Sequence, residues 1–139
     1  MGTVLNPYLN FRGNTREAME FYKSVFGGEL TTATFKDFGA SSDPTEDDLI
    51  MHADLEGDGG IRVMAADVPN RMDYQAGTND FAMSLSGDEE TELRQYFDKL
   101  ADGGTVTMPL EKATWGDVFG MCTDRFGIRW LVNVNASKE

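Results

Sequence analysis

The feature that most constrains the fold is an internal repeat. Residues 21–32 (FYKSVFGGELTT) and 97–108 (FDKLADGGTVTM) are identical at five of twelve positions, with a constant offset of 76 residues. A second shared segment, Gly-Ile-Arg at residues 60–62 and 127–129, has an offset of 67 residues. A polar stretch near residues 40–48 accounts for the difference. We therefore interpret the chain as two copies of one unit.

Each copy is predicted to contain one helix. Residues 14–26 and 88–102 place apolar side chains at helical spacing, and both segments lead into a Gly-Gly pair. Glycine at this position tolerates the left-handed conformation that often ends a helix. Capping residues are expected at the helix starts, namely Asn14 with Glu17 in a capping box, and Asp88 or Ser86 in the second helix.

Strand-like segments surround each helix in the same order. They are predicted at residues 4–11, 29–38, 49–55 and 61–67 in the first copy, and at 79–86, 105–114, 117–123 and 128–135 in the second. Each copy is thus a βαβββ module, and the fold class is α+β. We predict one domain, 1–139, built from module one (1–67), a linker (68–79) and module two (80–139). Its helices would cover one face of the sheets and leave a U-shaped cleft on the other.

Composition restricts the partners of the chain. There are 24 acidic and 12 basic residues, for a net charge of −12, and the basic residues are scattered. This argues against nucleic acid and against an anionic membrane surface as partners. No apolar run has the roughly 18 residues of a membrane helix, and the start does not resemble a signal peptide. A single cysteine forms no disulfide framework, so we expect a cytoplasmic location.

Several segments carry a resemblance to a known family. They are PYLNFRGN, EAMEFYKSVFGGEL, IMHADL, VMAAD, MPLEKATWGDVFG and DRFGIRWLVN, which cover most of the chain in order. With the paired βαβββ plan, they resemble the vicinal-oxygen-chelate superfamily of glyoxalase I, bleomycin-resistance proteins and extradiol dioxygenases, and more specifically its PhnB-like branch. The resemblance implies a homodimer.

The resemblance also implies where a metal would be bound. Superfamily enzymes hold a divalent metal with His and Glu side chains from the first and last strands of each module. These positions correspond here to Pro7 or Tyr8 and Met64 in module one, and to Met83 or Ser84 and Leu131 in module two. None is a histidine or a carboxylate, and thioether and hydroxyl groups are poor sole ligands for such metals. We therefore expect no metal at the usual site, and we predict no cofactor.

His52, the only histidine, is the candidate catalytic residue. In a strand, it would share one face with Asp54 and Glu56, and nearby carboxylates would favour its charged form. It could act as a general acid or base, or be an ordinary hydrogen-bonded strand histidine. A nonstandard metal site of His52, Asp54 and Asp67 is a further alternative. Asp67 could instead cap the turn that follows its strand.

Other side chains are candidates for ligand binding. The predicted set is Tyr8, Asn10, His52, Asp67, Ser84, Trp115, Phe119 and Asn133. Polar groups at strand edges suit recognition of a small ligand. For Asn10 and Asn133 the alternative is an ordinary place at a strand edge. Trp115 and Phe119 could close a pocket by stacking, and core packing is the alternative for Trp115. Arg62 and Arg129 could bind an anion or simply lie near their turns.

Known catalytic motifs are missing from the sequence. It contains no C-x-x-C, H-E-x-x-H, P-loop or G-x-S-x-G pattern. Cys122 has only His52 as a conceivable base, so it is interpreted as a small apolar core residue.

Two hypotheses on function remain open at this point. The first is a protein that binds a small molecule in its cleft without the usual metal site. The second is an enzyme, a lyase, isomerase or dioxygenase, with a nonstandard site around His52. If the cleft is filled, a third possibility is an interaction module. The fold class alone does not choose among them.

Overall fold

The computed structural model describes residues 5–39, 43–75 and 81–136. Residue contacts divide the chain into two compact units, residues 1–76 and residues 77–139. We call these the first unit and the second unit. Residues 68–75, which the sequence places in the linker, group with the first unit.

The first unit is a four-stranded sheet with one long helix. Its elements are β1 (Tyr8–Phe11), α1 (Thr15–Phe26), β2 (Glu29–Thr34), α2 (Phe35–Phe38), β3 (Ile50–Glu56) and β4 (Arg62–Asp67). Single 3₁₀ turns lie at Pro44–Glu46 and Asp58–Gly60. The strand order is β1-β4-β3-β2, in which β1 runs parallel to β4 and the other pairs are antiparallel.

The second unit repeats this plan. Its elements are β5 (Met83–Gly87), α3 (Glu90–Ala101), β6 (Thr105–Lys112), β7 (Val118–Thr123) and β8 (Arg129–Val134). The strand order is β5-β8-β7-β6, again with the first strand parallel to the last. The predicted tandem βαβββ architecture and the α+β class are therefore confirmed. Within the described ranges, no helix is long and apolar enough to span a membrane.

One predicted strand is too long. Residues 29–38 were expected to form a single strand, but β2 ends at Thr34 and residues 35–38 form the short helix α2. The reason is a capping box. The Thr34 hydroxyl accepts from the Asp37 amide at 3.2 Å, and the Asp37 carboxylate accepts from the Thr34 amide at 2.9 Å. These bonds favour a helical turn over continued pairing with β3.

Each long helix packs on one face of its own sheet. Helix α1 contacts β2, β3 and β4, and α3 contacts all four strands of the second unit. The buried side chains of the first unit alternate along its strands, as in Leu9 and Phe11 of β1, and they meet the α1 stripe of Ala18, Met19 and Tyr22. The other side of this sheet carries the intervening residues. We call it the far face, and it comprises Tyr8, Asn10, His52, Asp54, Met64 and Ala66.

The side-chain capping bonds predicted for the two long helices do not form. Asn14 occupies the N-cap position of α1 but makes no side-chain capping bond, so the box with Glu17 does not form. The N-cap of α3 is Glu89 instead of Asp88 or Ser86, and it also makes no side-chain capping bond. At α1 the capping function belongs to the distant Asp67, whose Oδ1 accepts from the Gly13 and Thr15 amides at 2.8 and 3.2 Å. A local sequence pattern cannot reveal such a long-range cap.

The repeated Gly-Gly pairs have a steric role besides ending the helices. A Cβ added to Gly28 would lie 2.0 Å from the Glu56 carbonyl oxygen, and one added to Gly104 would lie 2.1 Å from that of Thr123. Each glycine thus lets the chain leaving the helix pass against the end of the neighbouring strand, β3 or β7. The repeat in sequence reflects the same close backbone approach in both units.

Candidate functional site

Tyr8 and His52 form a polar pair on the far face of the first unit. The Tyr8 hydroxyl lies 3.4 Å from His52 Nδ1, and the ring centroids are 5.9 Å apart. Partial burial raises the pKa of the Tyr8 phenol above its usual value, so the phenol stays neutral near neutral pH and can donate to an unprotonated Nδ1. The sequence-predicted residues Tyr8 and His52 are therefore brought together, and one side of the imidazole is oriented.

Asp54, the carboxylate nearest His52 along β3, is bound to an arginine. Arg62 Nη2 lies 2.7 Å and Arg62 Nε lies 3.1 Å from the two Asp54 oxygens. The hydrogen bonds from Arg62 hold the pKa of Asp54 below its usual value, with a smaller contribution from the positive potential of His52. Asp54 thus stays ionised and paired with Arg62. Arg62 lies on the surface beside its turn, which agrees with the second of the two alternatives given for it from the sequence.

Asp67 lies on the opposite side of the sheet from His52. It is 4% exposed, and its carboxylate accepts from the Gly13 and Thr15 amides, from the Thr15 hydroxyl at 2.7 Å and from the Ile50 amide at 2.9 Å. His52, Asp54 and Asp67 therefore do not converge, and the alternative metal site from these three residues is not formed. Among the described residues, no group of three His, Cys, Asp or Glu side chains is arranged to hold a metal.

The strand register identifies the positions that the resemblance gives to the metal ligands. Tyr8 lies directly beside Met64 on the parallel pair β1 and β4, and Ser84 lies beside Leu131 on β5 and β8. Because directly paired residues project from the same face of a sheet, each unit presents one such pair. A phenol, a thioether, a hydroxyl and an isobutyl group do not fit a site for a divalent metal that prefers imidazole and carboxylate ligands.

A pocket of about 420 Å³ opens at one end of the far face. This volume lies within the usual range of small-molecule sites, roughly 300–1,000 Å³. Its polar lining is Tyr8, Asn10, Asp67 and Arg71, and its apolar lining is Phe35, Met51, Ala66, Val68, Pro69 and Met72. Tyr8 and Asn10 bring far-face polar groups to the pocket, whereas both Asp67 oxygens already accept hydrogen bonds elsewhere.

Two charged side chains, which were not predicted from the sequence, hold the main chain that forms one wall of this pocket. Arg12 Nη2 donates to the Pro69 carbonyl at 3.3 Å and to the Met72 carbonyl, and its guanidinium lies 5.5 Å from the Tyr74 ring centroid. Glu46, which is 4% exposed, accepts from the Asn70 amide at 2.6 Å. We call residues 68–74 the strap. The one available signal in the sequence is the charge of Arg12 directly after a strand, which is too common to be informative.

The remaining candidates lie in the second unit. Trp115 is 62% exposed and meets Phe119 edge to face, with centroids 5.7 Å apart, so it is not a core residue. Asn133 Nδ2 donates to the Asp117 carboxylate and to the Asn135 side chain, both at 3.0 Å. The first bond makes Asn133 a partner of the turn before β7 and is the main cause that lowers the pKa of Asp117. Ser84 is exposed on β5.

Cys122 is a core residue, as the sequence predicts. It is 1% exposed, and burial, together with the nearby Asp124 charge, raises the pKa of its thiol to about 11. The thiolate is therefore scarce near neutral pH, and this thiol does not suit nucleophilic catalysis.

Two βαβββ units, each with one long helix on a four-stranded sheet, define a glyoxalase-type fold. Residues 4–132 match the family model described as the Glyoxalase/Bleomycin resistance protein/Dioxygenase superfamily, and the chain belongs to this superfamily. The predicted superfamily is thus confirmed.

Individual relatives extend this comparison over nearly the whole chain. Protein YjdN of Escherichia coli K12 is 30% identical over 141 residues, covering 94% of each chain. The crystal structure of protein PA1353 from Pseudomonas aeruginosa is 40% identical, with a TM-score of 0.81, over 98% of this chain and all of the other. A PhnB protein from Bacillus cereus shares the fold, with 24% identity and a TM-score of 0.72 over 96% of this chain and 100% of that one.

Proposed function

We propose that this chain is a PhnB-like protein that binds a small molecule on the far face of its first unit, without the usual divalent-metal site. The observation that carries the proposal is the 420 Å³ pocket lined by both apolar groups and the Tyr8 and Asn10 side chains. Apolar walls with a few polar groups are typical of small-molecule sites. The donor set at Tyr8, Met64, Ser84 and Leu131 supports a metal-independent site.

A pocket-filling substitution tests this proposal. Ala66 lines the pocket and lies beside Asn10 on the neighbouring strand. Hits from a thermal-shift screen of small molecules are expected to bind Ala66→Trp at least about tenfold more weakly than the wild type, because the indole would occupy the space of the ligand. Isothermal titration calorimetry measures the affinities.

Thr31→Trp is the matched control. Thr31 is an exposed residue of the edge strand β2, opposite Asp54, and it does not line the pocket. It should keep the wild-type affinity. Wild-type affinity of every hit for Ala66→Trp would reject the pocket as the binding site.

The second candidate function is an enzyme with His52 as general acid or base. The Tyr8–His52 contact favours it, because histidine is the side chain that most often acts as general acid or base, and this contact positions the imidazole. If a screening hit is converted by the protein, His52→Ala should slow conversion by about 10²–10⁴-fold with little change in affinity. Mass spectrometry of the reaction follows the product, and Tyr8→Phe tests the orienting role. Unchanged conversion by His52→Ala would reject this candidate.

We also propose a cytoplasmic homodimer. The family resemblance supports the dimer, and so does the edge strand β6, where Val106 and Met108 are 46% and 45% exposed. A row of apolar side chains on an edge strand is a usual contact surface for a second chain. Light scattering that gives the mass of one chain would contradict the dimer. The single cysteine, which cannot form a disulfide within the chain, supports the cytoplasmic location.

A further inference from the structure

We propose that the pocket of the first unit selects small organic anions, with the anionic group at Arg71 and an aromatic or branched apolar body between Met51 and Met72. This inference rests on the proposed function and adds the chemical class of the ligand. It is supported by the position of one cation, Arg71, in the lining of a pocket whose other walls are mostly apolar.

Arg71 is available to a ligand. It is an exposed residue of the strap and it lines the pocket. In the part of the chain that the structure describes, no hydrogen bond or ion pair engages Arg71, whereas Arg62 and Arg94 are held in ion pairs with acidic side chains. A free guanidinium offers several N–H donors in a planar arrangement that matches a carboxylate.

The neighbouring cation plays a different part. Arg12 is occupied by the Pro69 and Met72 carbonyls and by the Tyr74 ring. It therefore holds the main chain on both sides of Arg71 and leaves ligand recognition to Arg71. Glu46 fixes the intervening Asn70 amide. The residue that meets the anion thus projects from a backbone that is anchored before binding, which lowers the entropic cost of binding.

Hydrogen bonds offset the negative charge of Asp67, the one acidic residue of the pocket lining. Asp67 would repel an anion if its charge faced the pocket freely. Its Oδ1 accepts three hydrogen bonds, from Gly13 and from Thr15 at the start of α1, and its Oδ2 accepts one from Ile50 at the start of β3. Four donors around a carboxylate spread and offset its charge. Tyr8 and Asn10 add neutral hydrogen-bonding groups that are compatible with a carboxylate oxygen.

The apolar lining determines the body of the ligand. Met51 and Met72 are flexible and polarisable, and they make favourable contacts with aromatic rings. Phe35 is 5% exposed and adds an aromatic wall. A ring or a branched alkyl group is therefore favoured over an extended polar chain, such as that of a sugar.

The test compares acids with their uncharged amides. The probes are benzoate, cinnamate and 2-naphthoate, each paired with its carboxamide, and calorimetry or ligand-observed NMR measures binding near neutral pH. At least one carboxylate should bind about five- to tenfold more tightly than its amide, because an exposed arginine contributes a modest charge-assisted interaction. This preference should shrink when salt is raised from about 20 mM to about 500 mM.

Two arginine variants show whether Arg71 is the source of the preference. Arg71→Gln should bind acid and amide equally, and Arg71→Lys should keep part of the difference. Arg16→Gln is the control, because Arg16 is an exposed residue of α1 outside the pocket lining and its loss changes the net charge equally. Thermal melting checks that all three variants stay folded.

The outcomes separate this inference from the proposed function. Equal affinity for acid and amide, a preference that survives in Arg71→Gln, or no binding of any carboxylate would each overturn the anion class. If screening hits of another class bind the wild type and are lost in Ala66→Trp, the small-molecule function stands while this inference fails. If no hit depends on Ala66, both fail.

Discussion

Gly104→Ala is expected to destabilise the second unit by about 3 kcal/mol or more. The new methyl group would lie 2.1 Å from the Thr123 carbonyl oxygen and 2.9 Å from main-chain atoms of Asp124, and backbone cannot move aside as a side chain can. Either β6 or the end of β7 must shift, and the shift breaks their pairing at Thr105 and Thr123. Urea unfolding followed by circular dichroism measures the loss.

The control is Gly127→Ala in the turn before β8. Gly127 has a φ of +86°, and an added Cβ would meet nothing within 4 Å. Its cost is the backbone strain alone, about 1–2 kcal/mol. If Gly104→Ala lowers the free energy of unfolding by no more than Gly127→Ala does, the close contact between Gly104 and the end of β7 is refuted.

Asp67→Ala is expected to lower the free energy of unfolding by about 4 kcal/mol. The substitution removes an acceptor from three main-chain amides and one hydroxyl, at Gly13, Thr15 and Ile50, and leaves the buried donors of Thr15 and Ile50 without this partner. Each unsatisfied buried group costs about 1–3 kcal/mol. The same carboxylate connects β4, the start of α1 and the start of β3, so the loss should reach all three elements. Hydrogen exchange of these amides, together with urea unfolding, measures it.

Thr15→Val gives the matched comparison. It keeps the size of a side chain that is 0% exposed and removes only the 2.7 Å bond to Asp67. A cost of about 1 kcal/mol is expected. If Asp67→Ala and Thr15→Val cost the same, the amide contacts contribute nothing and the connecting role of Asp67 is refuted.

The fold could be predicted because the two halves of the chain repeat the same sequence pattern. Each helix, Gly-Gly pair and hairpin supports its counterpart in the other half, and the periodicity of the buried residues is local in the sequence. The errors at Asn14 and at residues 35–38 have the opposite cause. At Asn14 a carboxylate 53 positions away replaced the local cap, and at Thr34 a capping box lay inside a segment with the composition of a strand.

The candidate site was predictable in part. Alternation along β3 predicted that His52 and Asp54 share a face, and in the structure both lie on the far face, because successive side chains of a strand point to opposite sides. No local pattern indicates the pocket wall, since Arg12 and Glu46 act on main-chain atoms at positions 69, 70 and 72, far from them along the chain. Arg71 and Met72 were therefore assigned to a linker.

The anchoring of the strap has a consequence for how such a protein can diversify. Arg12 and Glu46 hold carbonyl and amide groups, which every residue supplies in some form, and so they do not depend on the side chains at positions 71 and 72. Those two side chains can be exchanged while the backbone that carries them keeps its anchors. Descendants of one ancestral gene could thus acquire new ligands through substitutions at two adjacent codons, with little loss of folding stability.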